Sequence, residues 1–184
     1  MGIDAVKPKA VFLDRDGVIN AAVMRGDIPT PPTTLEELEI LPGVAEALRR
    51  LKQAGYALVV VTNQPDVARG MTPRATVDAI NAQLRASLPL DEIRVCDHDD
   101  PDGCRCRKPR PGLLLEPPTY DVERSIMVGD RWRDIEAGRR AGCRATILVD
   151  YRYAETSAEH PDHTVRSLAE AAEWILNTFD SPET

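Results

Sequence analysis

The sequence has few aromatic residues and no long apolar segment, and each shortage excludes a class of protein. Phenylalanine, tryptophan and tyrosine make up 4% of the 184 residues, and none lies between residues 96 and 112. The charged loop there therefore lacks the stacking surface that single-stranded nucleic acids use. No apolar run approaches the roughly 18 residues that a membrane span requires. The first ten residues also lack the apolar segment of an export signal, so a cytoplasmic location is expected.

Basic residues are outnumbered by acidic ones, which gives a formal net charge of −7. This charge argues against nucleic acid or an anionic membrane as a partner, although a local basic patch could still bind a small anion. Hydrophobic residues at 42% and charged residues at 29% are typical of a folded chain. The length suits one domain spanning residues 1–184. Nothing in the sequence specifies an oligomeric state.

Five short apolar runs alternate with helical patterns along the chain. The runs are mostly continuous rather than alternating, which is typical of strands buried on both faces of a parallel sheet. They cover residues 10–13, 56–62, 92–95, 125–129 and 145–149. The helical patterns cover 43–55, 72–88, 130–142 and 167–179, and Thr72 is the expected cap of the second. Residues 111–121 could start a further helix, which Pro117 and Pro118 would interrupt. The order predicts an α/β fold with helices on both faces of the sheet.

Acidic residues follow two of these predicted strands. Asp14 and Asp16 come after the first strand and precede Gly17, and Asp130 follows the fourth strand with Asp134 four residues later. Ligands of open parallel sheets bind at the carboxyl ends of the strands, where paired carboxylates need a cation or a proton. Each pair alone also fits an ordinary solvated turn or an acid at a helix N-terminus.

Phosphate-binding chemistry is indicated at two further positions. The second strand ends in Thr62, Asn63 and Gln64, which carry hydroxyl and amide donors that suit a phosphate oxygen. Lys108 lies in the segment Arg-Lys-Pro, residues 107–109, where a loop meets a predicted helix. An isolated Thr-Asn pair also forms turns, and an isolated lysine is usually a solvated charge. The four elements together are far more specific than any one of them.

Their order is Asp-x-Asp-Gly, Thr-Asn, Lys, then Gly-Asp-x-x-x-Asp, and it resembles the haloacid dehalogenase superfamily of aspartyl phosphotransferases. The resemblance extends from Lys9 to about Asp150. It implies a Rossmann-like, doubly wound parallel sheet. Because no large insertion follows Gly17 or Gln64, a large cap domain is not expected. Residues 27–34 are rich in proline and are expected to form a loop over the active face.

The resemblance also implies a set of roles. Asp14 would attack phosphorus and Asp16 would act as the general acid and base. Mg²⁺ would be the catalytic cofactor, with Asp134 supporting its ligands. Its expected ligands are Asp14, the backbone carbonyl of Asp16, and Asp130. The expected phosphate-binding residues are Thr62, Asn63, Arg107 and Lys108.

Three of the four cysteines lie in one polar loop, CDHDDPDGCRCRKPRPG, residues 96–112. Cys96, His98, Cys104 and Cys106 supply four ligands with no spare one, which is typical of a closed structural Zn²⁺ site. In a reducing compartment clustered cysteines favour metal over disulfides. The alternatives are incidental thiols or a single reactive cysteine. A zinc site would hold the loop that carries Lys108.

This loop narrows the resemblance to the branch that contains heptose-bisphosphate phosphatases and histidinol-phosphate phosphatases. In that branch the arginine of Arg-Lys-Pro contacts the substrate, so this role is expected of Arg107. The segments TNQPDVARG and RKPRPG favour the heptose enzymes, and the expected partner is a small phosphorylated metabolite, foremost D-glycero-D-manno-heptose 1,7-bisphosphate. Asn20 is followed by AAVMRGDIPTPP instead of the Asp-His-Gly-Tyr stretch that is frequent in heptose enzymes. Arg25 in that segment is a candidate contact for a second phosphate, and a solvated arginine is an equally good interpretation.

Two other classes of protein share some of these features. A phospho-receiver domain also uses Asp, Thr and Lys on a parallel sheet, but Asp16 favours turnover over retention of a phosphate. A zinc-dependent interaction module would use the cysteine loop alone. The remaining alternatives within enzymes are histidinol phosphate or another sugar phosphate as substrate.

Overall fold

Six parallel strands form the sheet at the centre of the protein. The structure is a computed structural model and describes residues 6–180. Strand order across the sheet is β5-β4-β1-β6-β7-β8. The strands are β1 Ala10–Leu13, β4 Ala57–Asn63, β5 Glu92–Cys96, β6 Ile126–Gly129, β7 Ala145–Val149 and β8 His163–Val165. A separate antiparallel hairpin contains β2 Val23–Arg25 and β3 Ile28–Thr30.

Helices cover both faces of the sheet, as the sequence predicts. They are α1 Val44–Gln53, α2 Arg74–Ser87, α3 Gly112–Leu115, α4 Trp132–Ala141 and α5 Leu168–Phe179. Alternate side chains of each strand point to opposite faces. On one face Leu13 and Val60 pack with residues of α1, α2 and α5. On the other, Phe12 and Val61 pack with residues of α3 and α4. The predicted doubly wound α/β fold is confirmed.

Three local predictions differ from the structure. All five predicted strands form, but β8 is an additional strand, because its three residues give too short an apolar pattern to recognise. The segment before α1 forms the β2–β3 hairpin rather than a plain loop. The predicted Thr72 cap is wrong: Pro73 occupies the cap position of α2, and no side chain caps this helix. Thr72 is instead buried, and its amide donates to the carbonyl of Asp66.

The strand order creates a crevice at the carboxyl edge of the sheet. The chain runs outward from β1 through β4 to β5, and then returns to β6 on the other side of β1. Such a reversal leaves a gap between the connections on either side, where ligands of doubly wound sheets bind. Asp14 follows β1 and Asp130 follows β6, so both carboxylates lie at this point.

No helix among residues 6–180 is both long and apolar enough to cross a membrane.

Candidate active site

Lys108 lies at the centre of the site, buried among acceptors. Its Nζ is 2.7 Å from Asp14 Oδ1, 2.6 Å from Asp134 Oδ1 and 2.7 Å from the carbonyl oxygen of Val61. An ammonium group has three N–H donors, and each has an acceptor here. Burial alone would lower the pKa of Lys108, but the charges of Asp134 and Asp14 outweigh burial and raise it. Lys108 therefore carries a permanent positive charge against the sheet edge.

A third carboxylate, Asp130, completes an acidic cluster. Oxygens of Asp14, Asp130 and Asp134 lie within 4.8 Å of one another. Neither buried oxygen of Asp130 accepts a hydrogen bond of ordinary geometry in the described part of the chain, and the Tyr153 hydroxyl interacts only weakly with it. Three ionised carboxylates and one ammonium leave two negative charges without a counter-ion. A divalent cation with oxygen ligands fits this arrangement.

The pKa values of the clustered carboxylates also favour a site for a cation. Burial raises the pKa of Asp14 to about 6, Lys108 opposes this shift, and the charges of Asp134 and Asp16 add to it. Burial and the charges of Asp14 and Asp134 raise the pKa of Asp130 well above its usual range. Carboxylates in such an environment ionise readily when a cation is bound beside them.

Two glycines allow these carboxylates to approach the backbone. A Cβ at Gly17 would lie 2.1 Å from Asp130 Oδ2, and Gly17 also has a φ of +97°. A Cβ at Gly129 would lie 2.1 Å from the Cβ of Asp134. Any side chain at either position would displace an acidic residue, so the chemistry of the cluster explains both glycines.

Asp16 is held by side-chain donors next to the cluster. Asn20 Nδ2 and Arg15 Nε lie 3.0 and 3.1 Å from its Oδ1, and Gln64 Nε2 lies 2.8 Å from its Oδ2. Arg15 is fully buried, and its Nη1 also donates to Asn81 Oδ1 on α2 at 3.0 Å. These contacts fix the direction in which the Asp16 carboxylate faces.

Asn63 holds the backbone of Lys108 through two reciprocal hydrogen bonds. Its Nδ2 donates to the Lys108 carbonyl and its Oδ1 accepts from the Lys108 amide, both at 3.1 Å. Both polar ends of this amide are thus occupied by the chain itself. The side chain of Asn63 therefore locates the Arg-Lys-Pro segment against β4.

A cavity of about 480 Å³ opens above Asp14, Asp16 and Lys108. Its size is in the range that suits a small-molecule ligand. The β2–β3 hairpin forms one wall through residues such as Pro29 and Thr30, as expected for a loop over the active face. Four arginines line the cavity: Arg69, Arg107, Arg131 and Arg133. Six carboxylates also line the cavity, so it is suited to an anion once a divalent cation offsets part of their charge.

The four predicted zinc ligands lie close together in the loop after β5. Cys96 Sγ lies 3.7 Å from Cys104 Sγ, 3.1 Å from Cys106 Sγ and 3.6 Å from His98 Nδ1. Tetrahedral zinc with Zn–S bonds of about 2.3 Å separates its sulfur ligands by about 3.8 Å, so the distance between Cys96 and Cys104 matches such a site and that between Cys96 and Cys106 is shorter. The four cysteines of the chain are free thiols. The donor set and its spacing fit a structural zinc ion.

Comparison with known proteins agrees with this geometry. A family model described as HAD-hydrolase-like matches residues 105–171. A curated heptose-bisphosphate 7-phosphatase of Bordetella bronchiseptica is 36% identical over 91% of this chain and 98% of its own length. The chain belongs to the haloacid dehalogenase family of hydrolases. The Escherichia coli K12 protein with the same curated name, D-glycero-beta-D-manno-heptose-1,7-bisphosphate 7-phosphatase, is 36% identical over 95% of this chain and 92% of its own.

A solved relative is informative about ligands of the family. The crystal structure of D,D-heptose 1,7-bisphosphate phosphatase from B. bronchiseptica contains magnesium and phosphate, and it matches this fold with a TM-score of 0.79 and 33% identity. The match covers 92% of this chain and 98% of that one. The expected family and the expected class of enzyme, a phosphatase, are thereby confirmed.

The structure brings most of the predicted residues to one place. Asp14, Asp16, Asn63, Arg107, Lys108 and Asp134 line the cavity. Thr62 is buried and is connected to Asp16 through Gln64, and Asp130 lies in the acidic cluster. Arg25 is elsewhere: its guanidinium pairs with Glu37 and Thr33 and does not line this cavity. This position agrees with the alternative of a solvated arginine.

Several residues of the site escaped sequence reasoning. Arg107 is held by Asp100, 2.7 Å from its Nε, and Asp99 lies 3.6 Å from its Nη2. Glu155 and Thr156 line the cavity from a segment that carries no motif. The repeated acids of DHDDPD were the available signal for Asp99 and Asp100, since the residues that follow them are basic. Glu155 had no local signal, because its place depends on how the chain returns from β7.

Proposed function

We propose that this protein is a Mg²⁺-dependent phosphatase that removes the 7-phosphate of D-glycero-β-D-manno-heptose 1,7-bisphosphate. One observation carries the proposal: a buried Asp–Lys–Asp cluster opens into a cavity lined by four arginines. Curated relatives of this name that match over nine tenths of the chain support the choice of substrate.

The first half of the reaction uses Asp14 and Asp16. An oxygen of Asp14 forms a bond to phosphorus while the bond from phosphorus to the sugar oxygen breaks, which leaves an aspartyl-phosphate. Asp16 gives its proton to the departing sugar oxygen. In the second half, water attacks the same phosphorus, Asp16 takes the proton of that water, and Asp14 and inorganic phosphate separate.

The remaining polar groups stabilise charge and hold geometry. Bound to Asp14, Asp130 and the backbone carbonyl of Asp16, Mg²⁺ would offset the repulsion between the anionic nucleophile and phosphate. Asp134 is a positioning residue, since its Oδ1 pairs with Lys108 and its Oδ2 accepts from the amide of Arg131 at 3.0 Å. Lys108 supplies charge, and the Thr62 hydroxyl donates to a phosphate oxygen.

The arginines of the cavity favour a substrate with two phosphates. Arg107 is buried, and its Nη1 has no hydrogen-bond partner among the described residues, so it can donate to a ligand. The other three arginines of the cavity each pair with an acidic residue, and a second phosphate could compete for these guanidinium groups. The zinc ion would be structural, because protein ligands fill all four positions and leave none for substrate. The cytoplasmic location stays a prediction from the sequence.

A phosphate-release screen over sugar phosphates and histidinol phosphate, with and without Mg²⁺, tests the proposal. We expect the 1,7-bisphosphate to exceed histidinol phosphate in kcat/KM by more than about tenfold, which is roughly 1.4 kcal/mol of transition-state binding. Arg107→Ala should reduce this preference. The reverse ranking would assign histidinol phosphate as the substrate, and activity that persists without any divalent cation would contradict the metal site.

A further inference from the structure

The side chain of Gln64 connects Asp16, the proposed acid and base, to Thr62, the proposed phosphate-binding residue. Its Nε2 lies 2.8 Å from Asp16 Oδ2 and 2.8 Å from Thr62 Oγ1. An amide nitrogen carries two hydrogens, so it can donate to both acceptors at once. Gln64 is 2% exposed, which leaves its nitrogen little access to water.

The backbone around Gln64 is fixed as firmly as its side chain. Gln64 follows β4, and its amide donates to the carbonyl of Cys96 on β5 at 2.7 Å. Cys96 is the first residue of the cysteine and histidine cluster. The backbone of Gln64 is therefore fixed to the sheet, and its side-chain Nε2 can hold Asp16 in a constant position.

The two hydrogen bonds have different chemical consequences. Thr62 Oγ1 accepts from Gln64, so the hydroxyl hydrogen of Thr62 stays free to donate to a phosphate oxygen. Asp16 Oδ1 accepts from Asn20 and Arg15, whereas Oδ2 accepts from Gln64 at 2.8 Å and from the shared Arg15 Nε at the longer distance of 3.3 Å. Loss of Gln64 would leave Oδ2 with the longer of these two hydrogen bonds.

We propose that Gln64 is a positioning residue that holds the acid/base Asp16 and the phosphate-binding Thr62 at a fixed spacing. This inference rests on the proposed phosphatase function. A proton donor works only within hydrogen-bond reach of the atom it serves, and positioned proton transfer contributes about 10²- to 10⁴-fold. Loosening Asp16 should therefore slow the release of a sugar alcohol, which needs a proton, more than the release of p-nitrophenolate, which leaves without one.

The test compares two substrates in the Gln64→Met variant, which keeps side-chain length and removes both donors. We expect the rate of phospho-enzyme formation from the sugar phosphate, measured by rapid quench, to fall about tenfold or more. The rate from p-nitrophenyl phosphate is measured as the nitrophenol burst. Its fold-loss in the variant should be smaller than the fold-loss for the sugar phosphate by a factor of about five or more. Thr62→Val removes only the hydroxyl, so it should slow both substrates alike.

Controls separate this inference from the proposed function. Gln83→Met, an exposed position on α2, should change neither rate. If wild-type protein releases phosphate from no phosphomonoester, the proposed function fails; if it is active on another sugar phosphate, that compound replaces the bisphosphate here. An equal loss on both substrates, or no loss, in an active and folded Gln64→Met would overturn the inference. If Gln64→Met does not fold, the shorter amide of Gln64→Asn must show the same selective loss.

Discussion

Asp14 and Lys108 show how single residues acquire their properties from burial. Asp14 is a carboxylate at the end of a buried strand, and burial raises its pKa to about 6 although Lys108 lies 2.7 Å away. A buried charge without a partner is costly, so each of these residues makes the ionised form of the other possible. A bound cation would add to this compensation and keep Asp14 ionised for attack.

The first prediction concerns this residue. Asp14→Asn should reduce phosphate release to below about a hundredth of the wild-type rate, because it removes the attacking charge and one proposed metal ligand. Asp78→Asn, at an exposed position of α2, is the matched control and should retain full activity. Circular dichroism of both variants checks the fold. Turnover above a hundredth of wild type in folded Asp14→Asn would eliminate Asp14 as the nucleophile.

At the scale of elements, the apolar strands could be predicted from the sequence and the contacts between loops could not. Buried parallel strands are continuous apolar runs, so the runs at 10–13 and 145–149 were unambiguous. The strand His163–Val165 contains one apolar residue, and its pairing with β7 is a tertiary effect. The motif acids could be predicted because they follow strands, and Lys108 because its Arg-Lys-Pro segment lies where a loop meets a helix. The bridge from Gln64 to Asp16 was not, because it joins two loops 48 residues apart.

The loop after β1 gives a prediction about close approach. Gly17→Ala would place a Cβ 2.1 Å from the Asp130 carboxylate at a positive φ, whereas Gly55→Ala would enter open space at a similar φ of +83°. Gly55→Ala should cost about 1–2 kcal/mol in free energy of unfolding, the penalty of left-handed backbone alone. Gly17→Ala should cost more and should also lower kcat/KM on the order of a hundredfold, since displacement of about 1 Å has that effect.

Urea unfolding and steady-state kinetics of the two alanine variants measure these quantities. Equal stabilities and unchanged activity in Gly17→Ala would show that Asp130 does not need its present position.

The cysteine loop is the element that carries Arg107 and Lys108, and it gives a prediction about zinc. Purified protein should contain about one zinc ion per chain, as expected for a closed four-ligand site. Cys104→Ser should lower zinc content and kcat/KM together, while the sheet stays folded, because the loop would lose its anchor. Cys143→Ser, outside the cluster, should leave zinc content unchanged. Elemental analysis and kinetics decide; loss of zinc with unaltered kinetics would refute the anchoring role.

The whole molecule combines a net charge of −7 with a cavity lined by four arginines. The general field of the protein repels an anionic substrate, whereas the guanidinium groups of the cavity, together with a divalent cation bound by its carboxylates, would attract it. At a Debye length of about 10 Å in 0.1 M salt, the distant acidic surface is screened more than the nearby guanidinium groups.

Salt dependence of kinetics tests this balance at the scale of the molecule. Between low salt and about 0.3 M salt, kcat/KM for the bisphosphate should fall more steeply than kcat/KM for p-nitrophenyl phosphate, because the bisphosphate carries more charge into the cavity. Arg107→Ala should reduce this difference. Parallel salt curves for the two substrates would mean that the arginines do not bind a second phosphate.

The position of β1 in the middle of the sheet has a consequence for amide hydrogen exchange. β1 is bonded to β4 on one side and β6 on the other, whereas β8 lies at an edge and the β2–β3 hairpin stands outside the sheet. Amides of central strands open mainly through global unfolding, and amides at edges and in hairpins open locally. Deuterium should therefore enter the cavity wall long before it reaches the strand that precedes Asp14. Such a pattern would mean that the wall can rearrange around different ligands while the carboxylate of Asp14 keeps its place.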